Sequence, residues 1–119
     1  MSEPQQMPSA RSDLHVLDVP DLERYEARLG DERELAGLLD YRLRDDFIVL
    51  THTEVLDGFA GQGIGSRLVR AVFADLRERE IPVIPKCPFV VAWLQKHPEQ
   101  HDVLFRPLEK PEPNEPSPA

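Results

Sequence analysis

His52–Val69 reads HTEVLDGFAGQGIGSRLV, and this stretch decides how the chain folds. Its first residues close a run rich in β-branched side chains, Phe47 to Val55, which predicts a strand. Glycines at 61, 63 and 65 then open a segment whose apolar residues recur at helical spacing. Ile64, Leu68, Val69, Val72, Phe73 and Leu76 share one stripe, and Arg67, Arg70, Arg77 and Glu78 fall off it. The period thus changes from two to 3.6 across a glycine-rich turn.

Upstream, the signals are those of hairpins. Arg44-Asp45-Asp46 is a tight polar turn, and Glu34–Arg44 before it predicts a long strand with Leu35, Leu39, Tyr41 and Leu43 as apolar positions. Gly30-Asp31-Glu32 is a second turn. Arg24–Leu29 alternates polar and apolar, and Leu14–Leu17 alternates weakly. Short turns between strands imply an antiparallel meander. Downstream, Ile81–Pro85 predicts a short strand whose prolines suit an edge or splayed position. Pro88 suits the first turn of a second helix over Phe89–Lys96, and Pro98 ends it. His101–Arg106 reads as a last short strand or coil. The expected fold class is α+β: a mixed sheet with an antiparallel N-terminal meander and two main helices.

Composition narrows the function. The 119 residues carry a net charge of −8, and five of the 12 prolines lie between Pro107 and Pro118. Residues 1–12 and 107–119 therefore read as disordered tails around one domain over 13–106. A single Cys excludes an internal disulfide, so a reducing, cytoplasmic setting is expected. No apolar run approaches a membrane span, and the N-terminus lacks the features of a signal peptide. An acidic chain is a poor match for nucleic acid. Residues 1–57 hold 14 acidic and 6 basic side chains, whereas residues 58–119 hold 8 of each. The acidic half solvates exposed strands or attracts a cationic substrate.

A helix N-terminus offers unpaired N–H groups and partial positive charge, and glycines let a bulky anion approach the backbone. The turn therefore reads as a phosphate or pyrophosphate cradle, against the plainer reading of glycines needed for sterics alone. A P-loop lysine is missing, and a Rossmann turn would need glycine where Ser66 stands.

The strand, the Gly61-Gln-Gly-Ile-Gly65 turn and the helix resemble the acetyl-CoA site of the GNAT N-acetyltransferase superfamily. His52-Thr-Glu-Val55, Leu68-Val-Arg-Ala71, Cys87-Pro-Phe-Val90 and His97-Pro-Glu99 extend the resemblance, in the same order, to small truncated GNAT-like proteins of the YjdJ type, over about residues 13–105. The resemblance implies a sheet whose fourth and fifth strands splay, with coenzyme A entering the gap. It implies cofactor contacts from Val55, Leu56, Gly61, Gln62, Gly63, Ile64, Gly65, Ser66 and Arg67. Ala60 stands where the superfamily usually has Gln or Arg, so phosphate contact would rest on the backbone, with Arg67 or Arg70 in support.

Three residues are candidates for the chemistry. Cys87 precedes a helix start beside Lys86, a setting that activates a thiol as nucleophile, although an unpaired Cys is also commonly inert and buried. His52 and Glu54 lie two apart in a strand, so their side chains share a face and either could serve as general base, while Thr53 faces the other way and reads as packing. Where many superfamily members place a Tyr acid on the second helix, this chain has Trp93, whose indole is a poor acid and reads as core. His97 and His101 have the spacing of a metal pair, but Pro98 breaks the helix that would align them, and no metal is expected. No catalytic-serine motif is present.

The resemblance thus implies an acetyl-CoA-dependent N-acetyltransferase acting on a primary amine, such as a protein lysine, a peptide or a small cationic amine. A non-catalytic coenzyme A or acyl-CoA-binding module is the alternative, and a generic nucleotide-binding domain is a third.

Overall fold

A computed structural model of the protein describes residues 14–108, so the expected tails lie outside the described residues except for Pro107 and Leu108. Leu108 still packs against the core. The chain runs β1 (Leu14–Val19), β2 (Arg24–Leu29), β3 (Glu34–Leu43), β4 (Ile48–Val55), α1 (Ile64–Arg79), β5 (Val83–Pro85) and α2 (Pro88–Lys96). Short 3₁₀ turns lie at Pro20–Leu22 and Pro98–Val103. The five strands form one sheet in the order β1-β2-β3-β4-β5. The first four are antiparallel neighbours, joined by the short polar turns. β5 returns through α1 and runs parallel to β4, as a helical crossover requires.

Register determines which side chains meet the helices. β3 and β4 carry a bulge, because Asp40 opposes His52 while Tyr41 opposes Leu50. Thr51 is the extra residue, so the alternation of β4 is reset there. Ile48 and Leu50 are buried beneath the helices, yet His52 and Glu54, of the same parity, are exposed. Thr53 pairs with the fully buried Leu39 and so points to the helix side. A second bulge interrupts the β2–β3 register between Ala27 and Arg28.

Both helices cover one face of the sheet. Ile64, Leu68, Val69, Val72, Phe73 and Leu76 of α1 are buried, with Val90, Trp93 and Leu94 of α2, against Tyr25, Ala27, Leu39, Tyr41 and Leu50. Each such Leu, Val or Phe contributes about 1.5–3 kcal/mol on burial. Phe73 and Trp93 join the two helices with ring centroids 5.3 Å apart. The opposite face is charged. Arg24, Glu26 and Arg28 alternate along β2, and the buried Glu26 carboxylate, on a residue only 4% exposed, accepts from both guanidinium groups at 2.7–2.9 Å.

Leu43, an apolar position of the expected strand, is 50% exposed where β3 ends at the hairpin. Of the two readings of His101–Arg106, strand or coil, the structure takes the irregular one: the segment begins inside the 3₁₀ turn, and Leu104 makes an isolated bridge to Val83. There His101 is drawn onto the Leu94 carbonyl at 2.7 Å, where it caps α2, and Asp102 is held by Arg77 at 2.7 Å. Among the described residues, no helix is long and apolar enough to cross a membrane.

Candidate active site

The pairing of β5 with β4 is short. Ile48, Val49 and Leu50 oppose Val83, Ile84 and Pro85, and there the ladder stops. Pro85 has no N–H to extend it. The next two N–H groups, of Lys86 and Cys87, both donate to the Leu50 carbonyl at 2.9 and 3.1 Å, turning the chain into α2. Among the described residues, β4 therefore has no strand partner on that side from Thr51 to Val55. This is the splay, and its cause is local: a proline followed by a double donation to one carbonyl.

The glycine turn closes the open end. Gly63 is the N-cap of α1, with φ of 71°, a left-handed conformation that favours glycine. No side chain caps the helix, and its first internal bond runs from Arg67 N–H to Gly63 C=O at 3.1 Å. The N–H groups of Ile64, Gly65 and Ser66 thus lead out of the helix start, where its dipole favours an anion. Gly65 serves close packing instead. A Cβ there would lie 2.7 Å from Phe89 Cζ, so the helix starts of α1 and α2 approach through that ring, on a residue 44% exposed.

Among the expected cofactor contacts, Gly61, Gln62 and Gly63 are exposed on the turn, and Ile64 and Gly65 are buried at the helix start. Val55, Leu56, Ser66 and Arg67 are half-buried around them. The set falls on the end of β4 and on the turn into α1. Its uncapped N–H groups and left-handed glycine fit a pyrophosphate held by backbone. A cavity of about 350 Å³ lies elsewhere, beside β5 and α2, with Lys86 and Arg106 in its lining.

The candidates for chemistry are not all brought together. His52 Nε2 and Glu54 Oε1 are 3.5 Å apart on the exposed face of β4, where Asp40 is the register partner of His52. Cys87 is the N-cap of α2, is 3% exposed, and lies on the helix side of the sheet. Its Sγ is 3.2 Å from Thr53 Oγ1. Thr53, read from sequence as packing, therefore has a polar partner that one strand's alternation cannot reveal. The sheet itself separates Cys87 from the His52–Glu54 pair.

Trp93 is 5% exposed and belongs to the core, yet its indole N–H donates to Ser66 Oγ at 3.1 Å. His97 bonds to Glu99 at 3.2 Å and stacks on Trp93 at 4.5 Å, while His101 faces Leu94 O. Both histidines of the suspected pair are thus engaged structurally. Among the described residues, no three His, Cys, Asp or Glu side chains gather as a metal set.

A hairpin meander followed by a helical crossover, and opened beside its last parallel strand, is the architecture of the acetyltransferases. The chain belongs to the GCN5-related N-acetyltransferase family, whose model matches residues 24–103. The fold is similar to the solution structure of a GCN5-like candidate N-acetyltransferase from Staphylococcus aureus. The TM-score is 0.59 at 27% identity, over 79% of this chain and 90% of that one. A GNAT-family acetyltransferase from Staphylococcus aureus Mu50 aligns at 17% identity and TM-score 0.44, over 57% of this chain and 45% of that one. An acetyltransferase from Trypanosoma brucei aligns at 16% and 0.40, over 78% and 69%. No curated protein sequence matches significantly.

Proposed function

We propose that the protein transfers an acetyl group from acetyl-CoA to a primary amine carried by a cationic acceptor, such as a protein lysine, a peptide or a small polyamine. The observation that carries this reading is the splay itself: β4 is free of β5 from Thr51 onward, directly beside the uncapped start of α1. When bound, acetyl-CoA supplies a thioester whose acetyl group an amine can take as the thiolate leaves. The backbone edge of Val55 and Leu56 aligns the pantetheine arm, and the first-turn N–H groups of α1 hold the pyrophosphate. On the exposed face, Glu54 accepts the proton of the attacking amine, with His52 beside it to pass that proton to water. Asp40 and Glu54 add negative charge for a cationic acceptor.

Thiol release from acetyl-CoA with a panel of amines tests the reading. Glu54→Gln should lower kcat by about 100-fold or more while leaving coenzyme A affinity within about twofold. Full activity in that variant removes Glu54 from the chemistry. Saturable coenzyme A binding without turnover on any amine would assign the binding module instead.

A covalent route through Cys87 is the second reading, favoured by its position at the start of α2 and its contact with Thr53. Radioactive acetyl-CoA should then leave label on the wild-type chain and none on Cys87→Ala. An unlabelled wild-type chain excludes it.

A further inference from the structure

Trp93 does more than fill the core. Its side chain is fixed on several sides: the Phe73 ring at 5.3 Å, the His97 ring at 4.5 Å and the Arg70 guanidinium 5.5 Å from its centroid. The one polar atom of this immobilised indole is aimed at Ser66 Oγ, 3.1 Å away. Ser66 is the third residue of α1, immediately behind the N–H groups that lead out of the helix start. A serine hydroxyl has one hydrogen to donate and two lone pairs. The indole, which can only donate, occupies one lone pair and leaves the hydroxyl hydrogen available. Side chains on a helix lean toward its N-terminus, so the Ser66 hydroxyl leans toward the glycine turn and can rotate to donate there. A serine without such a partner is free to bond back to the carbonyl one turn earlier instead.

We infer that Trp93 is a positioning residue for anion binding: its indole N–H sets the Ser66 hydroxyl as a side-chain donor to the phosphates held at the start of α1. The inference rests on the cofactor placement proposed above. It answers the question raised by Ala60, which offers no polar side chain at the turn. The donor is supplied from the far side, through a hydrogen bond spanning 27 residues of sequence.

The test is a double-mutant cycle on coenzyme A affinity, measured by calorimetry. Trp93→Phe keeps an aromatic ring against Arg70 and Phe73 but removes the N–H. Ser66→Ala removes the hydroxyl. Each should raise the Kd by about three- to tenfold, the range of one hydrogen bond. The double variant should bind no more weakly than Ser66→Ala alone. Additive losses, or a Trp93→Phe variant that binds as the wild type does, overturn the proposal.

A second measurement does not depend on Trp93→Phe folding. Trp93 is the only tryptophan, so its indole N–H gives one identifiable proton resonance. Saturating coenzyme A should move that resonance in the wild type. In Ser66→Ala, it should start from a different position and respond less. A resonance unmoved by coenzyme A overturns the proposal. Gly63→Val separates the two levels. If it abolishes binding while the Ser66 and Trp93 variants do not weaken it, the cofactor placement stands and the positioning role fails. If Gly63→Val also binds normally, the placement itself fails.

Discussion

At the scale of single residues, Gly65 and Glu26 make the most exacting demands. A methyl group on Gly65 would meet the tip of the Phe89 ring at 2.7 Å, well inside contact distance. The ring is half-exposed and can swing, so Gly65→Ala should cost about 1 kcal/mol, the low end of overpacking. In Gly65→Ala/Phe89→Ala, the methyl group meets no ring. Denaturant melts should then show the glycine substitution costing less in the Phe89→Ala background than in the wild type. An equal cost would mean the strain is not with Phe89. Glu26 carries a different constraint. Burial alone would raise its carboxyl pKa, but hydrogen bonds from Arg24 and Arg28 outweigh that and hold it below the ordinary value of 4.5. A depressed carboxyl stabilises the fold above its unfolded pKa and loses that contribution as the pH falls through the folded one. Melting temperature should therefore drop below about pH 4.5 more steeply in the wild type than in Glu26→Gln. At neutral pH, Glu26→Gln should cost about 1–3 kcal/mol, because two guanidinium groups lose their shared anion.

At the scale of elements, a polar strap ties the meander to α1. Tyr25 donates to Asp75 at 2.6 Å and Tyr41 donates to Asp18 at 2.6 Å, with Arg79 bonded to both carboxylates at 2.9 and 3.1 Å. Burial first, then hydrogen bonds to Asp75 and Asp18, push both phenols above their ordinary value of 10.0. A raised phenol favours the protonated folded state, so this contribution is complete below about pH 10 and is lost as the pH rises beyond it. Thermal melts between pH 8 and 11 should show the wild type losing stability above about pH 10, and Tyr25→Phe/Tyr41→Phe losing less. Parallel curves would disprove the assignment. None of this strap was legible in the sequence, since its partners lie up to 61 residues apart. The elements themselves were legible. β2 matches its expected span of Arg24–Leu29, and α1 starts at Ile64, the first residue of the expected stripe. These depend on local periodicity, which one segment carries alone. The bulge at Thr51 depends on two strands and has no signature in either. The sequence therefore indicated that His52 and Glu54 share a face, but not that the face lies away from Cys87. The same limit hid the partners of Thr53 and Trp93.

At the scale of the whole molecule, charge and architecture divide at the same place. The four-stranded meander is built within the acidic half, residues 1–57, which carries 14 acidic and 6 basic side chains. The glycine turn, α1 and α2 come from the half that holds 8 of each. In the proposed function the acceptor approaches His52 and Glu54 on the meander's exposed face, whereas the cofactor's phosphates would sit at the start of α1. On the proposed function, a cationic acceptor would be drawn by the acidic half, and an anionic cofactor would be held where the balance is neutral. Focused fields of this kind raise encounter rates by about 10-fold or more and weaken as salt shortens the Debye length to about 3 Å at 1 M. With acetyl-CoA saturating, kcat/KM for a lysine-rich peptide should exceed that for a peptide with one lysine among acidic residues by about 10-fold at low salt. Raising the salt should narrow the ratio mainly by slowing the lysine-rich peptide. Because the effect acts on encounter, kcat for that peptide should change little. Equal kcat/KM values at every ionic strength would show that the meander's charge solvates its strands and plays no part in choosing the acceptor.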